Sequence, residues 1–250
     1  MRTFLLFVVI IITSLCFFSC QKEQSNSEGN RLKAIRSKVG DSIFYRTFQY
    51  DDQSRLKSIV DSNNNGYKRS FILSYDAQGK LSQVTEGGNI YTFTFDDKGR
   101  IIKKSAKFSG QQASTIVNAY NYDANGRVIA DSIYSYWTQD VYSIVSYSYD
   151  QSTNVTEVKT VDKSSGAILG QEQCRYDNHP NPLDGKSIMT YLLSSGYEIP
   201  AGKNNLLKEI SQDGTIVNYS YEYYNNGLPK KCSFQDNSDP LITYVDYFYE

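Results

Sequence analysis

One nine-residue stretch constrains this chain more than any other: Tyr120-Asn121-Tyr122-Asp123-Ala124-Asn125-Gly126-Arg127-Val128. Tyr120 and Tyr122 are two apart, so in a strand they share one face. Asp123 can accept a hydrogen bond from the backbone two residues on and so start an Asx-turn. Gly126 stands where a short hairpin loop needs a positive φ, which glycine adopts without a Cβ penalty. Arg127-Val128 then opens the return strand. The unit reads as strand, tight turn, strand.

The unit recurs. Phe48-Gln49-Tyr50-Asp51, Leu73-Ser74-Tyr75-Asp76, Phe93-Thr94-Phe95-Asp96, Tyr147-Ser148-Tyr149-Asp150 and Cys174-Arg175-Tyr176-Asp177 each begin a copy. Tyr221-Glu222-Tyr223 begins another, and Tyr247-Phe248-Tyr249-Glu250 is a half copy. The turn acids at 51, 76, 96, 123, 150 and 177 are 25, 20, 27, 27 and 27 residues apart, which marks an array. Each period holds two strands of about ten residues and two turns. Ser54 and Thr153 stand where other copies have Gly. A β-branched Thr is a poor positive-φ residue, so Asn154 is expected to take that role in its copy.

Between the copies the pattern alternates with period two. Tyr67, Arg69, Phe71, Leu73 and Tyr75 share one face, with Lys68, Ser70, Ile72 and Ser74 opposite. Such alternation argues half-buried antiparallel strands. A second set of turn signals separates them, among them Asn63-Asn64-Asn65-Gly66, Glu86-Gly87-Gly88-Asn89 and Asp213-Gly214. The expected fold is all-β: a meander of about sixteen strands. Open twisted sheets rarely exceed about ten strands, so this one should curl into a barrel or deep trough. The acid-led turns should line one rim and the second set the other.

The period breaks once. Residues 178–205 read as an insertion that opens with His179-Pro180-Asn181-Pro182, a sequence unsuited to a helix interior. Ile188, Tyr191 and Leu192 then fall at i, i+3 and i+4, the one helix candidate outside the leader. Their apolar face is expected to pack into the barrel mouth on the acid-turn rim and close it, leaving ligand access at the opposite rim.

The first residues read differently. Met1-Arg2-Thr3 precedes an apolar run from Phe4 to Phe18, interrupted by Thr13 and Ser14. That run is short for a membrane span of about 20 residues and fits the core of a secretory signal. Ser19-Cys20 follows and looks like a bacterial lipobox, with Phe17 where Leu is usual. Residues 1–19 are therefore expected to be a signal peptide and Cys20 to carry the lipid. The lipobox reading is favoured over an ordinary cleaved signal and over an uncleaved anchor. Polar residues 20–30 form a flexible tether, and 31–250 a single β domain. Removing the signal takes Arg2 from 26 bases, leaving 25 against 27 acids. No basic face arises, which disfavours nucleic acid.

Chemistry is sparse. His179 is the one His and sits between Asn178 and Pro180, which suggests a loop residue rather than part of a triad. Too few Cys and His remain for zinc. Acid-turn carboxylates of consecutive copies lie two strands, about 10 Å, apart and cannot share a calcium ion. Cys174 and Cys232 read as core residues, on strands too far apart to bridge. No cofactor or metal is expected. A glycan hydrolase is the weakest reading, because no spacing singles out a pair of acids. The 22 Tyr and 12 Phe are the unusual bulk feature. Ladders such as Tyr120/Tyr122, Tyr147/Tyr149 and Tyr221/Tyr223 read first as cross-strand packing, and second as a surface for a glycan or protein ligand.

The turn pattern resembles the YD repeats of Rhs and teneurin shells. A closer resemblance is to a family of Bacteroidetes lipoproteins of unknown function with a porin-like fold. It is carried by Ser19-Cys20, the Tyr-Asp-x-x-Gly-Arg copies, Tyr176-Asp177-Asn178-His179-Pro180-Asn181-Pro182-Leu183, Lys203-Asn204-Asn205 and the Tyr247–Glu250 half copy. The resemblance implies an all-β, barrel-like domain at the bacterial envelope and no assigned activity. The resulting expectation is a non-catalytic outer-membrane lipoprotein that binds a ligand or partner through an aromatic-rich surface, periplasmic or surface-facing. A purely structural scaffold is the alternative.

Overall fold

The computed structural model describes residues 30–184 and 202–250. They form sixteen strands. The first half comprises β1 (Leu32–Val39), β2 (Ser42–Tyr50), β3 (Leu56–Asn63), β4 (Lys68–Tyr75), β5 (Leu81–Glu86), β6 (Asn89–Phe95), β7 (Ile101–Lys107) and β8 (Thr115–Tyr122). The second half comprises β9 (Val128–Tyr134), β10 (Val141–Tyr149), β11 (Val155–Asp162), β12 (Ile168–Pro180), β13 (Asn204–Ser211), β14 (Ile216–Tyr223), β15 (Pro229–Asp236) and β16 (Thr243–Tyr249). Each strand pairs antiparallel with its chain neighbours, and β1 pairs with β16, so the sheet closes into a barrel. The expected all-β architecture, strand number and closure all hold.

The acid-turn rim is built by one repeated device. Asp123 Oδ1 accepts from the backbone N–H groups of Asn125 and Arg127, both at 2.9 Å. Its Oδ2 takes the Arg127 Nε at 2.7 Å. The Arg127 guanidinium lies 4.8 Å over the ring of Tyr149 in the next copy. Tyr149 in turn donates its hydroxyl back to the Val128 carbonyl at 2.6 Å. Acid, base and aromatic thus link each turn to its neighbour through charge-assisted and cation–π contacts. Asp51–Arg55–Tyr75 and Asp96–Arg100–Tyr122 repeat the arrangement. One β-bulge precedes the second aromatic of each copy, as at Asn121/Tyr122 and Ser148/Tyr149, and adds local twist.

The seam of the barrel is the same unit in two pieces. Glu250 occupies the turn-acid position, and Arg31 the position of the turn base. Arg31 and Glu250 exchange backbone hydrogen bonds at 3.2 and 2.9 Å. Arg31 Nη2 reaches Glu250 Oε1 at 2.8 Å, its guanidinium covers Tyr50 at 4.6 Å, and Tyr50 donates to the Leu32 carbonyl at 2.8 Å.

Three expectations need correction. Thr153 itself takes the left-handed conformation, φ 72°, as does Ser54 at 61°. The Thr153 N–H bonds the Asp150 carbonyl at 3.3 Å, and the Asn154 N–H is held by Asp150 Oδ1 at 2.9 Å. The capping bonds set the turn, and the residue at the glycine slot must follow. His179 is not a loop residue: β12 runs on to Pro180, because Asp177 and Asn205 hold the strand ends together. Consequently the connection between β12 and β13 is 181–203, shorter than the expected 178–205. Residues 1–29, with Cys20, and the helix candidate at Ile188, Tyr191 and Leu192 lie outside the described residues.

Candidate functional site at the open rim

Side chains that alternate inward line the barrel, and the lining changes along its axis. Toward the acid-turn rim it is apolar. Leu32, Phe48, Leu56, Ile59, Phe71, Leu73, Leu81 and Val84 form one buried cluster across β1 to β5. Val145, Val155 and Val158 with Ile133, and Ile101 with Tyr120, form two more. Leu183, just beyond β12, packs against the β1–β5 cluster. Sixteen antiparallel strands in ring order put β12 across the barrel from that cluster, so Leu183 reaches over the mouth.

A polar network anchors that crossing. Asp177 accepts from the His179 and Asn205 backbone N–H groups at 2.9 and 3.0 Å, from Asn205 Nδ2 at 3.2 Å and from the Tyr223 hydroxyl. His179 stacks on Tyr223 with ring centroids 3.9 Å apart. Asn154 Nδ2 bonds Asn204 Oδ1 at 3.1 Å, and Asn204 N–H returns to Asn154 Oδ1 at 2.9 Å. The carboxylate is satisfied by four donors and the His179 ring is stacked on Tyr223, an arrangement that braces the base of the 181–203 connection.

Among the described residues the opposite rim is open. Phe44 and Tyr67 face inward by register with Phe48 and Phe71 yet are 45% and 49% exposed. Arg46 forks onto Asp61 at 2.7 and 2.9 Å. Beside them Arg69 Nε meets Glu86 Oε1 at 2.9 Å and lies over Phe71. Burial pushes the Glu86 carboxyl up, but bonds from Arg69 and Asn89 outweigh it and hold it below the usual range. Ile35, Ser37, Phe44, Arg46, Asp61 and Tyr67 line a recess of about 320 Å³ here. On the far side of the mouth Tyr219 donates to Glu209 at 2.5 Å, and burial together with Glu209 raises the Glu172 carboxyl. Outside, the β15–β16 loop overhangs a cleft of about 580 Å³ walled by Asn218, Ser220, Ser233 and Gln235.

Between the two ends sits a buried polar trio. Asn118 Nδ2 contacts both Asp131 oxygens at 3.0 and 2.9 Å, and Lys104 lies one strand further on. Burial pushes Asp131 up to about 6, against the pull of Asn118 and Lys104. The sequence reading missed this trio. Its signal was a polar residue at an inward position on each of three consecutive strands, blurred by bulges that shift the alternation at Lys104/Ser105 and Asn121/Tyr122.

The second aromatics of the copies pack across strands, the first of the two roles expected of the tyrosine ladder. Tyr50, Tyr75, Tyr122, Tyr149 and Tyr249 each donate to the carbonyl of the first residue of a strand that leaves the acid-turn rim, namely β1, β3, β7, β9 and β15. Cys174 and Cys232 are buried free thiols, which burial pushes up to about 12 and about 11. The outer wall exposes polar residues such as Gln49, Lys57, Ser74, Lys103, Arg175, Glu222 and Lys231, interspersed with exposed Tyr45, Ile72, Tyr142, Tyr244 and Phe248.

Comparisons with known proteins agree with this geometry. A family model described as Teneurin YD-shell matches residues 18–136, somewhat less than half of the chain. A porin-like protein from Bacteroides uniformis has the same fold, with a TM-score of 0.64 and 13% identity over 89% of this chain and 98% of that one. A porin-like protein from Bacteroides vulgatus gives 0.52 and 13% over 88% and 99%. No curated protein is significantly similar in sequence. At such identity the likeness concerns the fold: a closed YD-shell-like, porin-like β-barrel.

Proposed function

We propose that this protein is a non-catalytic envelope shell, tethered through a lipid on Cys20 and displaying its open rim to a ligand. One observation carries the reading: the barrel is polar along its axis. Arg31, which follows the tether, lies on the acid-turn rim, where the interior is apolar and Leu183 crosses the mouth. The opposite rim presents inward-facing but exposed aromatics and paired charges. Strands of about eight residues separate the two rims by about 25 Å. A tether on one rim therefore holds the other away from the membrane. The outer-membrane lipoprotein family named above fits this reading, and two porin-like neighbours from Bacteroides share the fold.

A purely structural scaffold is the second reading. It is favoured by the tyrosine ladder, whose hydroxyls are committed to holding the wall. A glycan hydrolase draws only on the Glu172 and Glu209 carboxyls, one of which is tied to Tyr219.

Two measurements test the proposal. Cys20→Ser should abolish incorporation of labelled fatty acid and release the protein from membranes. Mass spectrometry of the purified wild type should reveal a co-purifying molecule that Tyr67→Ala loses. Continued fatty-acid labelling of the Cys20→Ser variant would remove the tether. A wild type that carries nothing would leave the scaffold.

A further inference from the structure

The chain has one Trp, and it is not in the core. Trp137 lies in the β9–β10 turn of the open rim and is 87% exposed. Leaving so large an apolar surface in water is costly unless something covers it. The ring is also braced. Tyr136 meets it edge-on with centroids 4.7 Å apart, and Phe108, from the neighbouring β7–β8 connection, meets Tyr136 at 5.1 Å.

The loop beneath is held rigidly. Gln139 adopts φ 60°, a left-handed conformation rarely taken by a residue with a side chain. Its carboxamide explains why. Oε1 accepts from the Ile116 N–H at 3.1 Å, and Nε2 donates to the Ser135 and Tyr136 carbonyls, both at 3.1 Å. One strained residue staples the two loops that carry the three rings. Strain kept in place by its surroundings is a mark of preorganisation.

The surroundings select the ligand class. Residues 108–118 and 132–139 contain no Asp, Glu, Lys or Arg. The other side chains of these two loops are largely amides and hydroxyls, among them Gln112 and Thr138. Lys107 and Asp140, one charge of each sign, flank these windows, so the patch carries no net positive charge to attract phosphates or acidic lipid heads. A sugar ring fits it: its C–H face is apolar and flat, and its edge carries hydroxyls that amides can bond.

We propose that Trp137, braced by Tyr136 and Phe108, is a stacking site for a neutral polysaccharide. The inference rests on the reading that this rim is held away from the tethering lipid. A single Trp makes the test direct. The full-length chain in mild detergent is titrated with soluble β-glucan, starch, mannan and xylan, followed by tryptophan emission and by affinity electrophoresis. At least one polysaccharide should shift the emission to the blue and retard the protein, and high salt should not reverse the retardation. Trp137→Ala should weaken retardation about tenfold or more. Trp137→Phe should keep most of it, and both variants should melt like the wild type. The proposal falls if no polysaccharide retards the wild type, if Trp137→Ala is retarded equally, or if only phosphatidylcholine vesicles shift the emission. Failure of fatty-acid labelling together with a polysaccharide shift would remove the tether and leave the site. Labelling without a shift would do the reverse.

Discussion

The two rims of this barrel solve one problem in opposite ways. Both must turn the chain between strands. On the acid-turn rim one solution is reused, with Asp capping the turn, Arg bonding the Asp, and Arg covering an aromatic of the next copy. On the open rim the connections vary: the β3–β4 turn keeps the capped form with Asn63 in place of the acid and no base, while the Gln139 staple and the β15–β16 loop follow other designs. The interlocked rim carries the order of the fold. That frees the other rim to vary its loops, as binding loops on rigid scaffolds do.

The sharpest way to break the comparison uses one residue type on one wall. Phe71 is 1% exposed beneath the interlocked half and Phe44 is 45% exposed at the open mouth. Phe71→Ala should cost about 3–5 kcal/mol, and Phe44→Ala about 0.5 kcal/mol or less, in denaturant titrations. Similar midpoints would abolish the distinction.

Next comes pH. Asp131 sits near 6 in the fold against an ordinary value of about 4, so the native state holds its proton over that interval. Stability from this group therefore falls as pH rises from about 4 to about 6. Asp51, Asp96 and Asp123 act with the opposite sign. Burial raises and hydrogen bonds lower each one; for Asp51 burial is the largest influence, for Asp96 and Asp123 the backbone bond from Arg100 or Arg127 is. The net shift is downward in all three, so their contribution is present above about 4 and lost as pH falls through their folded values. Melting temperature should thus peak at mildly acidic pH, and Asp131→Asn should flatten the decline between that peak and neutrality. An unchanged profile in Asp131→Asn would count against the buried trio.

At the turns, Gly126→Val should cost about 1–2 kcal/mol while Ala124→Val stays near neutral, because only the first places a branched residue at φ 83°. Thr153→Gly should stabilise, by up to about 1 kcal/mol, since it relieves the same conformation. Tyr122→Phe should cost about 1 kcal/mol, from loss of the bond to the Ile101 carbonyl. Thermal melts that rank these variants otherwise would argue that the repeat does not act as a chain of linked turns.

The repeat was legible because its parts are stereochemically demanding: Asp to cap, Gly to turn left-handed, two aromatics for one face. Strand number and barrel closure followed from counting. What stayed hidden depended on register. The bulge in each copy is invisible in residue type, so the inward positions of Lys104, Asn118 and Asp131 could not be lined up. Thr153 misled because capping bonds overrode its own preference. His179 misled because a Pro on either side of Asn181 suggested a loop, whereas Asp177 and Asn205 keep the strand paired. Trp137 carried no periodic signal at all; only the exposure of its ring singles it out.

The split turn at the seam has a kinetic consequence. Apart from β12–β13, the other strand pairs join residues fewer than twenty positions apart, whereas Arg31 and Glu250 are separated by 219 positions. Hairpins should zip early into an open arc, and the ring should close last, after the slow search that distant contacts require. Until then the free edges of β1 and β16 are bare templates for pairing. Two arcs that meet before either closes could seal each other's seams, so rapid refolding at high concentration should yield exchanged dimers, and slow dilution monomers.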